Sequence, residues 1–195
     1  MSADPTPIIG VLLAGGQSSR MGEDKANLAI ANTTLLKFMH AKLQQAGFDE
    51  IVICRNAPGY LNDTVPQLGP LGALHTLGQH YPGRRALIIP VDMPLLSVAS
   101  LKAFATAALS LNVRDSTLPA TLGQQMFPLY LPFTPAVIEA LHQRTRQGDD
   151  LSIAAFLRDT HGQTLSSVEL HDDECLNANT PAQWQTILAK VSTTY

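Results

Sequence analysis

The chain has 195 residues, 45% of them hydrophobic and 15% charged, with a formal net charge of −3. Soluble domains carry about a quarter charged residues, so this chain is charge-poor, too apolar for intrinsic disorder and of a length that suits one domain. Its slight acidity excludes a broad basic face for nucleic acid, yet leaves room for a local cationic pocket built from some of the 13 Lys and Arg.

Cys54 and Cys175 are far apart and form no C-x-x-C, and the six histidines contain no H-x-x-x-H. A disulfide scaffold, a zinc ribbon and a zincin site are therefore excluded. Residues 1–7 hold Asp4, Pro5 and Pro7 and no Lys or Arg, which is unlike a signal peptide. The most apolar runs have strand length, far short of a membrane span. The expected location is the cytoplasm, with neither membrane nor nucleic acid as a partner.

In chain order, residues 8–13 (IIGVLL) form an apolar, partly β-branched run between Pro7 and Gly15, which reads as a strand buried on both faces. Asn32 or Thr33 is expected to cap a helix over about 34–46, closed by Gly47. Leu35, Phe38, Met39 and Leu43 would form its core stripe, with Lys42 at the margin. Residues 51–54 read as a second strand, 69–80 as a helix opening on Gly69-Pro70-Leu71-Gly72, and 86–91 as a third strand. Ser97 caps a helix over 98–109. This alternation is the βαβ pattern of a doubly wound sheet.

The second half reads differently. Residues 116–121 and 126–130 suggest a hairpin about Leu122-Gly123-Gln124-Gln125. Thr134-Pro135 starts a helix to about Arg146, 151–158 is a short helix and 164–170 a strand. Thr180-Pro181-Ala182-Gln183 is a capping box for a last helix reaching about Val191.

The chemistry concentrates after the first strand, in Leu13-Ala14-Gly15-Gly16-Gln17-Ser18-Ser19-Arg20-Met21-Gly22-Glu23-Asp24-Lys25. A glycine-rich turn at the carboxyl end of a parallel strand lies where α/β sheets bind ligands. Glycines let backbone N–H groups approach an anion or a base edge, and Arg20 and Lys25 add donors suited to phosphate. The loop matches neither G-x-x-x-x-G-K-[ST] nor G-x-G-x-x-G. Asp92 follows the third strand and so falls beside this loop, as a candidate ligand for Mg²⁺ or, on the plainer reading, as a cap of the turn before Pro94. Asn177 and Asn179 alternate, so an extended segment presents both to one face; turn and cap chemistry before Thr180 is the other reading. Gly69 and Gly72 open a helix whose free N–H groups either face an anion or simply pack tightly on the sheet.

The segment LLAGGQSSRMGEDKANL resembles the signature L-A-G-G-x-S-x-R-M-G-x-D-K of the molybdenum cofactor guanylyltransferases, part of a wider superfamily of sugar-nucleotide and cytidylyl transferases. GPLGAL at 69–74, PVDMPLL at 90–96 and LNANTP at 176–181 resemble three further family motifs in the same order. The resemblance implies a single Rossmann-like three-layer α/β/α domain over 1–195 with a mostly parallel mixed sheet. A nucleotide-binding half would span about 8–110 and an acceptor-binding half about 111–191. It implies attack by the phosphate of molybdopterin on the α-phosphorus of GTP, with Mg²⁺ as cofactor and pyrophosphate leaving. Lys25 and Arg20 would then neutralise the triphosphate and Asp92 would hold the metal. Leu13, Ala14, Gly15 and Gly16 would contact the nucleotide through main chain, and Gly69, Gly72, Asn177 and Asn179 would lie toward the acceptor. Other cofactor-biosynthesis proteins and apo-molybdoenzymes are the partners it implies.

The chain departs from the family pattern in places. Cys54 stands where an Asn is frequent, and Asn56 is the candidate substitute; Asp63 is the nearest candidate for a family Asp before G-P-L. Asp149-Asp150 stands where relatives often carry basic residues, and its plainer role is to complement a helix N-terminus. The L-A-G-G form, with Gly15 and Gly16, favours guanine over the L-A-A-G of cytidylyl members. The alternatives are a cytidylyl- or sugar-phosphate nucleotidyltransferase, or a nucleotide-binding relative without turnover.

Overall fold

The computed structural model describes residues 7–15, 24–111, 115–123, 125–148 and 150–192. Strand β1 (Ile8–Leu13) is buried along its whole length. A two-residue hairpin, β2 (Ala29–Ile30) with β3 (Thr33–Thr34), leads into α1 (Leu35–Gln45). Then follow β4 (Ile51–Cys54), α2 (Pro70–His80), β5 (Arg85–Pro90) and α3 (Val98–Leu109). The second half contributes β6 (Ala120–Leu122), β7 (Leu129–Pro132), α4 (Pro135–Gln147), α5 (Ile153–Asp159), β8 (Gln163–Leu165) and α6 (Pro181–Ser192).

Six strands form one sheet in the order β4-β1-β5-β7-β6-β8. β7 runs antiparallel to both its neighbours, and the other pairings are parallel. The chain leaves β1 for β4 on one side and returns through β5 on the other, so the β1/β5 boundary is the topological switch point where open α/β sheets bind ligands.

Strand alternation sorts the core into two layers. Ile8 and Leu12 of β1 and Leu87 and Ile89 of β5 face α1, α3 and α6, where Met39, Phe104 and Ile187 cover them. Ile9, Val11 and Leu13 face α2, α4 and α5, with Leu74, Leu141 and Phe156 opposite. Each fully buried Leu, Ile or Phe contributes roughly 1.5–3 kcal/mol. The mostly parallel sheet between two helical layers is the fold expected from the sequence.

Several local expectations shift. The N-cap of α1 is Thr34, whose Oγ1 accepts from Lys37 N–H, because Asn32 and Thr33 are taken by the turn and second strand of the β2–β3 hairpin. Lys42 is buried rather than marginal. The predicted 116–121 strand begins only at Ala120, since Asp115–Thr117 coils into a short 3-10 turn. The antiparallel pair forms, but β7 starts at Leu129 and the connection is longer than the four residues expected. β8 stops at Leu165, short of the predicted 170. The caps Ser97 and Thr134 hold as read, their hydroxyls accepting from Ser100 and Val137 N–H.

Candidate active site

Strand register brings the two main motifs together. Leu13 and Pro90 are paired at the carboxyl ends of β1 and β5, and Val91 N–H donates to Leu13 C=O at 2.8 Å. The chains beyond, one toward Lys25 and the other to Asp92, therefore start side by side. Asp24 caps a short 3-10 turn, Lys25–Asn27, by accepting from Ala26 N–H at 3.0 Å. From that turn Lys25 Nζ reaches Asp92 Oδ2 at 2.7 Å and Asn179 Oδ1 at 2.6 Å. The Lys25 and Asp92 side chains are 18% and 20% exposed, so the pair is screened from bulk water but open to a ligand.

Asn179 arrives from the far end of the sequence and is pinned from two sides. Ala178 N–H donates to Asp92 C=O at 2.8 Å, and Asn179 N–H donates to Gln183 Oε1 at 3.1 Å; Thr180 Oγ1 accepts from Gln183 N–H as expected of a capping box, but the Gln183 side chain reaches Asn179 N–H in return. Asn177 behaves otherwise: its Nδ2 donates to Cys175 C=O at 3.2 Å. Of the two asparagines expected on one face, Asn179 joins Lys25 and Asp92, whereas Asn177 follows the turn-forming alternative.

Beside this triad, on the β4 side of β1, lies a cleft of about 790 Å³. Leu13, Ala14, Gly15, Asn56, Asp63 and Gly69 all line it, as do Asp24, Cys54 and Arg55. Asn56 and Asp63 brace each other across the loop after β4, and Thr64 N–H donates to Thr76 Oγ1 on α2, which fastens the loop behind Asp63. Arg55 Nη2 donates to Asp24 Oδ2 at 2.6 Å, joining that loop to the residue before Lys25. Neither Asp24, which sits in the glycine-loop motif, nor Arg55, between Cys54 and Asn56, is marked by the sequence as a site residue.

Cys54 occupies the departure position and is 2% exposed. Burial, reinforced by the Asp63 charge, pushes its thiol up to about 12, so it stays a neutral apolar wall. Gly69 and Gly72 separate. Gly69 is the N-cap of α2 at φ 57°, ψ −147°, a conformation open to glycine, and it lines the cleft. A Cβ on Gly72 would meet Leu68 Cβ at 3.2 Å and Val65 O at 3.3 Å, so that glycine serves close packing. Gly16, Arg20 and Asp149 lie outside the described residues. Asp150 accepts from Ser152 N–H at 2.9 Å, just before α5, in agreement with the plainer reading. Among the described residues, no three His, Cys, Asp or Glu side chains gather to hold a metal, and no helix is long and apolar enough to cross a membrane.

Residues 10–164 match the MobA-like NTP transferase domain. The chain is 35% identical to the molybdenum cofactor guanylyltransferase of Xanthomonas euvesicatoria over 93% of its own length and 95% of the relative's. Its fold resembles molybdopterin-guanine dinucleotide biosynthesis protein A of Archaeoglobus fulgidus, with a TM-score of 0.75 at 14% identity over 95% and 100% of the two chains. A Mycobacterium tuberculosis protein solved in complex with manganese also shares the fold, with a TM-score of 0.62 at 19% identity over 94% and 99%.

Proposed function

The chain belongs to the MobA-like NTP transferase family and is a nucleotidyltransferase, and from this we infer that it transfers GMP from GTP to the phosphate of the molybdenum–molybdopterin cofactor. Pyrophosphate is the leaving product. The observation that carries the reading is the Lys25 ammonium held between Asp92 and Asn179 at the switch point, next to a cleft large enough for a nucleotide. We read residues 8–110 as the nucleotide-binding half and 111–191 as the acceptor-binding half of one unit.

Displacement at an α-phosphate needs positioning and charge neutralisation more than a covalent nucleophile. Lys25 supplies a cation where the phosphates would enter, and Arg20 in the same loop is assigned the same task. The backbone of Leu13, Ala14 and Gly15 lines the cleft assigned to the nucleotide, and Gly16, next in sequence, is assigned the same task. Asp63 presents a carboxylate to the cleft, an acceptor suited to the N1–H and N2–H donors of guanine; cytosine offers no such pair. Asn56 keeps that carboxylate oriented. We assign Asn179 toward the acceptor and Gly69, which lines the cleft, to the border between nucleotide and acceptor, whereas Gly72 and Asn177 act as packing and turn residues.

Asp92 and the side-chain oxygen of Asn179 are hard donors of the kind Mg²⁺ accepts, and a single carboxylate with substrate phosphates and water is a sufficient set. Asp92 would hold the ion, which supplies charge neutralisation at the reacting phosphate when bound. The chain's own residues then orient the phosphates and fix the line of attack.

The test is thermal shift and turnover with each triphosphate. Mg-GTP, and not Mg-CTP, is expected to raise the melting temperature, and pyrophosphate release should require GTP and molybdopterin together. Equal shifts would overturn the assignment to guanine, and a shift with CTP alone would assign the chain to a cytidylyl branch.

A further inference from the structure

Two opposite charges lie buried behind the Asp92 turn, and no step of the proposed reaction uses them. Lys42 on α1 is 8% exposed and Glu174 is 5% exposed. Lys42 Nζ donates to Pro94 C=O at 2.7 Å and to Leu96 C=O at 2.9 Å, and lies 4.9 Å from the centre of the Phe38 ring. Glu174 accepts from Ser97 N–H at 2.7 Å, from Ser100 Oγ at 3.0 Å and from His171 N–H at 3.0 Å.

These bonds converge on two connecting segments, the second of which contains a 3-10 turn, Asp172–Cys175. Residues 91–97 run between β5 and α3 and carry Asp92; residues 171–179 run into α6 and carry Asn179. The segments are joined at the site by Ala178 N–H to Asp92 C=O and again behind it by Glu174 to Ser97 N–H. Lys42 ties the first segment to the helical layer below by occupying two of its carbonyls. An apolar side chain of similar length would fill the Lys42 space without desolvating a charge. Each charge instead holds backbone: Lys42 takes the carbonyls of Pro94 and Leu96, and Glu174 takes the N–H groups of Ser97 and His171.

We propose that Lys42 and Glu174 are positioning residues that set the spacing of Asp92 and Asn179 about Lys25. The role rests on the catalytic reading of Asp92 given above. The charges stay on at neutral pH. Burial lowers Lys42 only to about 8, opposed by Glu174. Burial also raises Glu174, but its hydrogen bonds from Ser97, Ser100 and His171 outweigh this and hold it below the usual carboxylate range.

The test is steady-state pyrophosphate release by Lys42→Met and Glu174→Gln in the full chain, with GTP and Mg²⁺ titrated separately and folding checked by circular dichroism. Loss of such supporting contacts typically lowers metal affinity or activity by about 10–100-fold. Both variants are expected to lose kcat in that range, to need about tenfold more Mg²⁺ for half-saturation, and to keep KM for GTP at saturating Mg²⁺ within about threefold, since the cleft lies across β1. Folded variants with wild-type kcat and Mg²⁺ dependence would overturn the proposal, as would a KM for GTP that rises in step with the loss of kcat. If Lys42→Met fails to fold, Glu174→Gln, which keeps the shape of the side chain, decides by the same readings. Wild-type turnover in Asp92→Asn would overturn the catalytic reading itself, a result distinct from normal positioning variants beside an inactive Asp92→Asn.

Discussion

Asn56 and Asp63 hold each other by two hydrogen bonds: Asn56 Nδ2 donates to Asp63 Oδ2 at 3.0 Å, and Asp63 N–H donates to Asn56 Oδ1 at 2.8 Å. The amide thereby fixes both the backbone and the carboxylate of the residue assigned to guanine. Asp63→Asn should weaken Mg-GTP binding by about tenfold or more, because losing one partner of a charge-assisted bond costs on the order of 1.5–3 kcal/mol. Asn56→Ala should act in the same direction, and the double variant should lose less than the sum. Calorimetric titration reads all three; wild-type affinity in Asp63→Asn removes that residue from base recognition.

Asp92→Ala should lower turnover by about 100-fold or more while melting within a few degrees of wild type, since the carboxylate is partly exposed and its partner Lys25 can turn to water. Lys25→Met should show a comparable loss. Pyrophosphate release at saturating substrate measures both, and an Asp92→Ala protein that turns over normally would end its assignment as metal ligand.

Two glycines of one motif should fail differently. Gly72→Ala crowds Leu68 and Val65 and should cost about 1–3 kcal/mol of stability, with the folded fraction retaining GTP affinity. Gly69→Ala has open space around it but a positive φ, a strain of about 1–3 kcal/mol, placed at the start of α2 where the cleft begins. Its GTP affinity should therefore fall as well. Chemical denaturation and GTP titration together separate the two effects.

Cys54 should resist alkylation in the native protein at pH 8 and react once denaturant is added, whereas the half-buried Cys175 should react sooner. The folded thiol holds its proton to about 12, while the unfolded one releases it near 9. The folded state thus binds more protons between these values, and stability falls as pH rises through that window. Cys54→Ala should lose this part of the alkaline slope in pH-dependent denaturation, even if it is less stable at neutral pH.

The sequence was most legible where local pattern and motif coincide. The apolar run of β1, the Ser97 and Thr134 caps and the meeting of Lys25 with Asp92 follow from strand ends that parallel pairing must bring level. It was least legible where partners are distant along the chain. Nothing near Asn177 says that its amide turns back to Cys175 while Asn179 goes to Lys25; that choice depends on Ala178 binding Asp92. Lys42 looks like the edge of an amphipathic helix until Pro94 and Leu96 supply its acceptors. Thr34 took the cap from Asn32 and Thr33 because a two-residue hairpin, too short to leave a hydrophobic period, claimed those positions.

The reversed strand decides which rim of the sheet receives the second half of the molecule. β7 ends with Pro132 opposite Arg85, at the bottom of β5, so α4 starts on the rim farthest from Asp92. It then climbs along α2: Ile138 and Leu141 lie beside Gly78 near the end of α2, and His142 stacks on His75, closer to the start of α2. Gly148 and the corner leading into α5 consequently emerge on the rim that bears Gly69 and the cleft. A parallel β7 would have sent that corner to the opposite rim, out of reach of any molecule bound there. One change of strand direction is what turns the end of α4 toward the rim on which Lys25 and Asp92 meet.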